Sequence, residues 1–172
     1  MKKLLLILIA FSLSYCSCKK KSVSKSSSFT IESPCPGDGN CSIKIEKNKN
    51  LEIKNDELGK IYYELKDNSS TSVIHYQYKR NVEEGLQDGQ HIEEIIFEID
   101  NNSKEINLEN KYLQNTKMLF GRHCYCKGQA GYFKIDEGSL QLENKENTIH
   151  FNLTYKTDKV PQLSNNIIAT IK

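Results

Sequence analysis

The folded part of this sequence lacks the positive charge that a nucleic-acid-binding protein needs. The chain has 24 Lys and Arg against 22 Asp and Glu. Six of those basic residues precede residue 29, so residues 29–172 retain 18 basic against 22 acidic residues, a net charge of −4. No run of Lys or Arg interleaved with aromatic residues follows Lys21. Because phosphate backbones are bound through such basic surfaces, the sequence excludes nucleic acid as a partner.

Patterns typical of catalytic or cofactor sites are also missing. The glycines at positions 121, 128 and 131 do not have the spacing of a dinucleotide-binding or phosphate-binding loop. No serine lies in the context of a nucleophile elbow. The histidines show no paired ligand spacing, which predicts surface positions for all four: His75, His91, His123 and His150. We therefore expect no enzyme activity and no cofactor.

Two pairs of adjacent carboxylates, Glu83 with Glu84 and Glu93 with Glu94, are the nearest approach to an acid–base site. Adjacent residues of a strand point to opposite faces of the sheet, so neither pair can converge on one substrate. We expect all four side chains to be solvated.

The apolar run at the N-terminus is too short for a membrane-spanning helix. It extends over residues 4–13, about half of the ~20 residues that a spanning helix needs. Lys2 and Lys3 precede it, and residues 14–18 behind it are mostly small. A short basic segment, an apolar run and small residues are typical of a secretory signal peptide. The sequence therefore predicts export.

The end of this signal resembles the cleavage region of bacterial lipoproteins. In that family a cysteine after a small residue is diacylated and becomes the new N-terminus, and the stretch Ser14-Tyr15-Cys16-Ser17-Cys18-Lys19 has this form. Ser17 supplies the small residue before Cys18. Cleavage there also leaves an even number of cysteines, whereas lipidation of Cys16 would strand an odd thiol. The resemblance implies membrane attachment through a lipid on Cys18, and Lys19, in place of an aspartate, implies delivery to the outer membrane.

These features divide the chain into three parts. Residues 1–17 form the signal peptide, and residues 18–28 form a lipidated tether. The tether is rich in serine and lysine, which is typical of a flexible linker. Residues 29–172 suit one domain that is long enough to bury a substantial core.

Alternation of apolar and polar residues dominates residues 29–172 and predicts β-strands. Leu140 and Leu142 lead through a polar turn at 143–147 into a second alternating run, which predicts a β-hairpin. We expect a loop at 81–90, a last strand near 166–171 and an ambiguous segment at 112–120. Short strands separated by Asn, Asp and Gly turns indicate an all-β fold, a single-domain antiparallel β-sandwich with a calycin-like β-barrel as the alternative. This succession of short strands and polar turns is similar to that of small all-β envelope lipoproteins of unknown function.

Four cysteines remain for disulfide bonds: Cys35, Cys41, Cys124 and Cys126. They allow three connectivities. A bond between Cys124 and Cys126 would close a very small ring, which is strained and easily reduced. Crossed bonds would instead join the N-terminal turn to the segment around Cys124 across roughly 90 residues, contributing on the order of 4 kcal/mol. We predict crossed bonds without choosing between their two versions.

The sequence thus predicts a lipid-anchored envelope protein that acts as a non-catalytic binding or structural module, with a protein or a small apolar ligand as its partner. One alternative is a lipocalin-like carrier with a cavity lined by Tyr63, Tyr76 and Tyr78. Another is a thiol-redox or metal-binding protein that uses Cys124 and Cys126, with His123 beside them.

Overall fold

The computed structural model describes residues 28–172, and the predicted signal peptide and all but the last residue of the tether lie outside the described residues. Ten strands and one short 3-10 helix follow one another along the chain. In order they are β1 (Phe29–Ile31), β2 (Gly39–Asn55), β3 (Ile61–Arg80), β4 (His91–Asp100), β5 (Glu105–Glu109), the 3-10 helix (Asn110–Thr116), β6 (Leu119–Cys124), β7 (Gly131–Lys134), β8 (Glu137–Lys145), β9 (Thr148–Lys156) and β10 (Asn166–Ile171). Within residues 28–172, no helix is both long and apolar enough to cross a membrane.

The strands form two antiparallel sheets of five strands each. Sheet 1 has the order β1-β10-β9-β8-β5, and sheet 2 has the order β2-β3-β4-β6-β7. Alternating apolar residues of both sheets meet in one core, where the rings of Phe97 (β4) and Phe151 (β9) pack edge to face with centroids 5.5 Å apart. The predicted all-β antiparallel fold is confirmed.

Sheet 2 also curls on itself. Strand β3 is twenty residues long, so its second half joins the sandwich while its first half reaches β7, where Ile61 pairs with Tyr132. Strands β3, β4, β6 and β7 therefore close into a small four-stranded barrel. Leu51, Val73 and Ile96 form its buried apolar cluster. Beside this cluster the carboxylate of Glu98 accepts hydrogen bonds from the backbone N–H of Leu51 at 2.6 Å and from Lys117 Nζ at 2.7 Å. These bonds link β4 to β2 and to the segment before β6.

The structure contains the elements that were predicted from local sequence patterns. Strands β8 and β9 form the predicted hairpin, with Glu146 and Asn147 at φ values of 51° and 66°. Positive φ at both central residues matches the two-residue hairpin loop whose twist fits the flanking strands. The segment 81–90 connects β3 to β4 as a loop, and β10 covers the predicted last strand. The ambiguous segment 112–120 divides into a 3-10 helix and the start of β6.

The two ends of the sandwich are different. At one end the termini lie together, since Phe29 pairs with Ile171 and the backbone N–H of Lys172 donates to the carbonyl of Ser28 at 2.8 Å. We call this the terminal end. The other end gathers four connecting segments, at 32–38, 81–90, 125–130 and 157–165. The backbone N–H of Leu163 donates to Glu93 there and joins the two sheets. We call it the loop end.

Candidate functional site

The cysteines of the described chain pair locally, at the loop end. Cys35 pairs with Cys41, with Cα atoms 5.8 Å apart, and Cys124 pairs with Cys126, with Cα atoms 5.2 Å apart. Both separations lie within the usual range of about 4.4–6.8 Å for bridged cysteines. Cys18, the predicted lipidation site, lies outside the described residues.

The crossed connectivity that we predicted is wrong. Cys41 lies on β2 and Cys124 on β6, and the sheet order places β3 and β4 between them. Three strand spacings of about 4.8 Å put these cysteines roughly 14 Å apart, whereas a disulfide bond requires Cα atoms within about 7 Å. The positions of the cysteines in the sequence do not show this distance, because it depends on the order of the strands in the sheet.

The metal-binding alternative involving His123, Cys124 and Cys126 finds little support in the geometry. The two sulfur atoms pair with each other, and His123 leaves the opposite face of β6 toward the barrel. Within residues 28–172, no group of three or more His, Cys, Asp or Glu side chains is arranged to hold a metal ion.

The three tyrosines expected to line a carrier cavity are separated into two clusters. Tyr76 and Tyr78 are buried in the core between the sheets. Their hydroxyls donate to Cys41 Sγ at 3.0 Å and to Asp38 Oδ1 at 2.7 Å. Burial raises the pKa of Tyr76 to about 12, so this hydroxyl remains protonated. Tyr63 lies on the other face of sheet 2, in the barrel. The three side chains therefore do not share one cavity.

A group of polar side chains occupies the interior of the small barrel instead. Each of the four barrel strands contributes one residue: His75, Glu94, His123 and Tyr132. We call this group the barrel cluster. Glu94 lies at its centre, with Oε2 2.8 Å from His75 Nε2 and 3.4 Å from the Tyr132 hydroxyl. His123 Nε2 lies 3.3 Å from Oε1, at ion-pair distance but outside hydrogen-bond geometry.

The electrostatics of the barrel cluster follow from this arrangement. Burial alone raises the pKa of Glu94, but the close approach of the His123 ring, the hydrogen bond to His75 and the charges of both rings outweigh burial and lower that pKa to about 2. Glu94 therefore carries its negative charge at neutral pH inside the barrel. Burial, with the charge of Glu94 next, raises the pKa of Tyr132. Its hydroxyl accordingly stays protonated and acts as a donor.

The predicted solvation of Glu93 and Glu94 is wrong, although the two side chains do leave opposite faces of β4. Glu93 is 3% exposed and points into the sandwich, where it accepts a hydrogen bond from the backbone N–H of Leu163 and contacts His91 at 3.1 Å. Glu94 points into the barrel. His91 is also buried, contrary to its predicted surface position. Both faces of β4 are covered, because the barrel adds a third layer to the sandwich.

Gly121 on β6 makes room for the barrel cluster. A Cβ atom at this position would lie 2.6 Å from Cε1 of Tyr132 and 3.2 Å from Nε2 of His123. The ring of Tyr132 packs edge to face against His123, with centroids 5.1 Å apart, and against Tyr63 at 5.2 Å. A side chain at position 121 would displace this stack.

We expect Gly121→Ala to lower the free energy of unfolding by about 2 kcal/mol, since overpacking of a filled interior typically costs about 1–3 kcal/mol. Urea unfolding followed by circular dichroism measures this change. The nuclear magnetic resonance signals of the His123 and Tyr132 rings should shift in the same variant. Unchanged stability together with unchanged ring signals would show that the barrel interior is not packed as described.

No protein-family model, curated protein or solved structure matches this chain. The assignment of a function therefore rests on the residues and on the geometry of the two ends of the sandwich.

Proposed function

We propose that this protein is an exported, lipid-anchored protein of the cell envelope, delivered to the outer membrane, and that its β-sandwich acts as a non-catalytic binding module. The observation that carries the binding role is the separation of the two ends. The chain enters the sandwich at the terminal end, where Phe29 pairs with Ile171. The connecting loops and both cysteine pairs lie at the loop end.

Attachment at Cys18 would orient these ends relative to the membrane. The ten peptide units from Cys18 to Ser28 reach at most ~35 Å, and they join the domain at the terminal end. The nine residues of β9 extend about 30 Å along the sandwich. The loop end would therefore lie about 30 Å farther from the attachment point than the terminal end does, where a partner can reach it. Loops carried on a rigid scaffold are the usual place for binding residues.

The cysteine pairs support export. Disulfide bonds persist in oxidising compartments and are rare in the cytosol. Cleavage before Cys18 and its lipidation would leave no cysteine of the mature chain beyond the lipidated residue and the four that pair at the loop end.

Replacement of Cys18 tests the anchor. In a bacterial host that processes lipoproteins, the wild-type chain and a Cys16→Ser control should incorporate labelled palmitate and sediment with membranes. Cys18→Ser should incorporate none and remain in the soluble fraction, because one site carries all of the acyl chains and stable anchoring requires more than one chain. Mass spectrometry of the mature N-terminus checks the cleavage position. Labelling of the Cys18→Ser variant, or an unprocessed Met1 in the wild type, would contradict the proposal.

A further inference from the structure

A small pocket at the loop end lies between the 81–90 loop and the segment that follows β6. It has a volume of about 250 Å³ and is lined by Gln87, Asp88, Gln90, His123, Cys124 and Tyr125. We call it the Tyr125 pocket. Its volume is just below the range of about 300–1,000 Å³ found for drug-sized ligands, so it suits a small ring or one unit of a longer chain.

Tyr125 is an exposed aromatic residue that lies between two paired cysteines. Its side chain is 82% exposed, and it stands between the paired Cys124 and Cys126. The pairing of both neighbours restricts the backbone of Tyr125, which lies beside the pocket. A backbone that is restricted before binding loses less conformational entropy when a ligand stacks on the side chain it carries.

The opposite wall is also ordered. In the 81–90 loop, a Cβ atom on Gly89 would lie 2.7 Å from side-chain atoms of both Val82 and Leu86. The loop is therefore folded closely onto itself and keeps Gln87, Asp88 and Gln90 on the side of the pocket. Two preformed walls therefore flank a space that is open to solvent on one side.

The polar groups of the Tyr125 pocket are available to a ligand. Among the described residues, the side chains of Gln87, Asp88 and Gln90 make no hydrogen bond to another side chain or to the backbone. Each glutamine amide offers two donor hydrogens and an acceptor oxygen. His123 reaches the pocket from the barrel cluster, where its Nε2 faces Glu94. The pocket thus combines donors and acceptors with one exposed ring.

The charge of the pocket narrows the class of ligand. Its lining has one carboxylate, Asp88, and no Lys or Arg. The 81–90 loop adds Glu83 and Glu84 and has no basic residue. Anionic ligands are therefore disfavoured. An apolar ligand would leave the amide and carboxylate groups desolvated and unpaired, which is costly.

We propose that the Tyr125 pocket binds a neutral saccharide. The apolar C–H face of a sugar ring packs on the ring of Tyr125, and its hydroxyls, each both a donor and an acceptor, pair with Gln87, Asp88 and Gln90. This inference rests on the proposed role as a binding module and specifies its ligand class.

Titration calorimetry on the full chain in detergent tests the inference, with cellohexaose, maltohexaose and chitohexaose as neutral probes. At least one should bind, and Tyr125→Ala should weaken that binding by tenfold or more, while Tyr125→Phe should retain it because the stacking face is kept. Gln87→Ala should also weaken it. Tyr112→Ala is the matched control, since Tyr112 is another exposed tyrosine, 56% exposed, on the 3-10 helix. Circular dichroism confirms that each variant is folded.

The inference is overturned if none of the three probes binds, if Tyr125→Ala binds as tightly as the wild type, or if heparin or spermine binds at the pocket in preference to the neutral probes. A chain that is acylated and membrane-bound but binds no saccharide would overturn the ligand class and leave the anchor intact. A chain that binds a saccharide through Tyr125 but is not acylated would overturn the anchor and leave the ligand class intact.

Discussion

Replacement of Glu94 by Gln should lower the free energy of unfolding at pH 7 by about 3 kcal/mol, because it leaves buried polar groups without their acceptor, and each such group typically costs about 1–3 kcal/mol. Glu94 is only 8% exposed. Its carboxylate is the common acceptor for His75 and Tyr132 and faces His123. A neutral amide cannot receive hydrogen from all of these groups, and its own N–H₂ group would oppose the Tyr132 hydroxyl. Urea unfolding of the wild type and the variant measures the difference.

The same carboxylate makes stability depend on pH. The pKa of Glu94 is about 2 in the folded protein, below its ordinary value of 4.5. A depressed pKa means that the unfolded chain binds the proton more readily, so this contribution to stability is complete above about pH 5 and declines as the pH falls toward 2. A shift of this size corresponds to about 3 kcal/mol. In urea unfolding measured from pH 6 to pH 2, the wild type should lose this amount from Glu94, and Glu94→Gln should show a correspondingly flatter profile.

Glu84→Gln is the matched control for both measurements. Glu84 is exposed on the 81–90 loop, and replacement of such a surface residue usually changes stability by no more than about 0.5 kcal/mol. If Glu94→Gln were as stable as Glu84→Gln at pH 7, or if its pH profile followed that of the wild type, the barrel cluster would not hold a buried charge.

Replacement of Gly138 by Ala should destabilise the protein by about 4 kcal/mol, at the upper end of single substitutions. Gly138 begins the β8–β9 hairpin at a φ of 134°, a conformation that side chains rarely adopt. An added Cβ atom would also contact the carbonyl oxygen of Thr154 and lie 2.8 Å from Cα of Tyr155. Both obstacles are backbone atoms of the paired strand β9, so neither can move away without breaking the ladder. The free-energy costs of the strained φ angle and of the steric overlap therefore add.

Gly37→Ala is the control for this prediction, because a Cβ atom on Gly37 would meet nothing within 4 Å. Thermal unfolding of the two variants should separate them clearly, with Gly37→Ala close to the wild type. Equal melting temperatures for Gly138→Ala and the wild type would show that β8 and β9 are not paired at this register.

The elements that could be predicted from the sequence are those whose signal is local. The hairpin of β8 and β9 follows from alternation on both sides of a short polar turn, and its loop needs only Glu146 and Asn147 at positive φ. The 81–90 loop follows from its glycines and charges in the same way. Such patterns depend on neighbours in the chain, which the sequence lists directly.

There is a physical reason why the barrel cluster could not be predicted from the sequence. His75 and Glu94 lie on faces of β3 and β4 that look solvent-exposed in a two-layer sandwich, since each alternates with apolar core residues. The closure of β3 onto β7 covers these faces. Tyr63 and Leu65 alternate with polar residues and point into the barrel. This alternation indicates that they are buried, but no local pattern indicates which residues they cover.

The sequence by itself determined the all-β character and the positions of most strands and turns, because each depends on short stretches of chain, whereas the signal, the lipidation site and the tether stay predictions. The tertiary structure alone decided which cysteines pair, which carboxylates are buried and what surrounds Tyr125. These depend on the order of strands in the sheets and on the curl of sheet 2, and the energy that selects them comes from contacts between residues far apart in the chain.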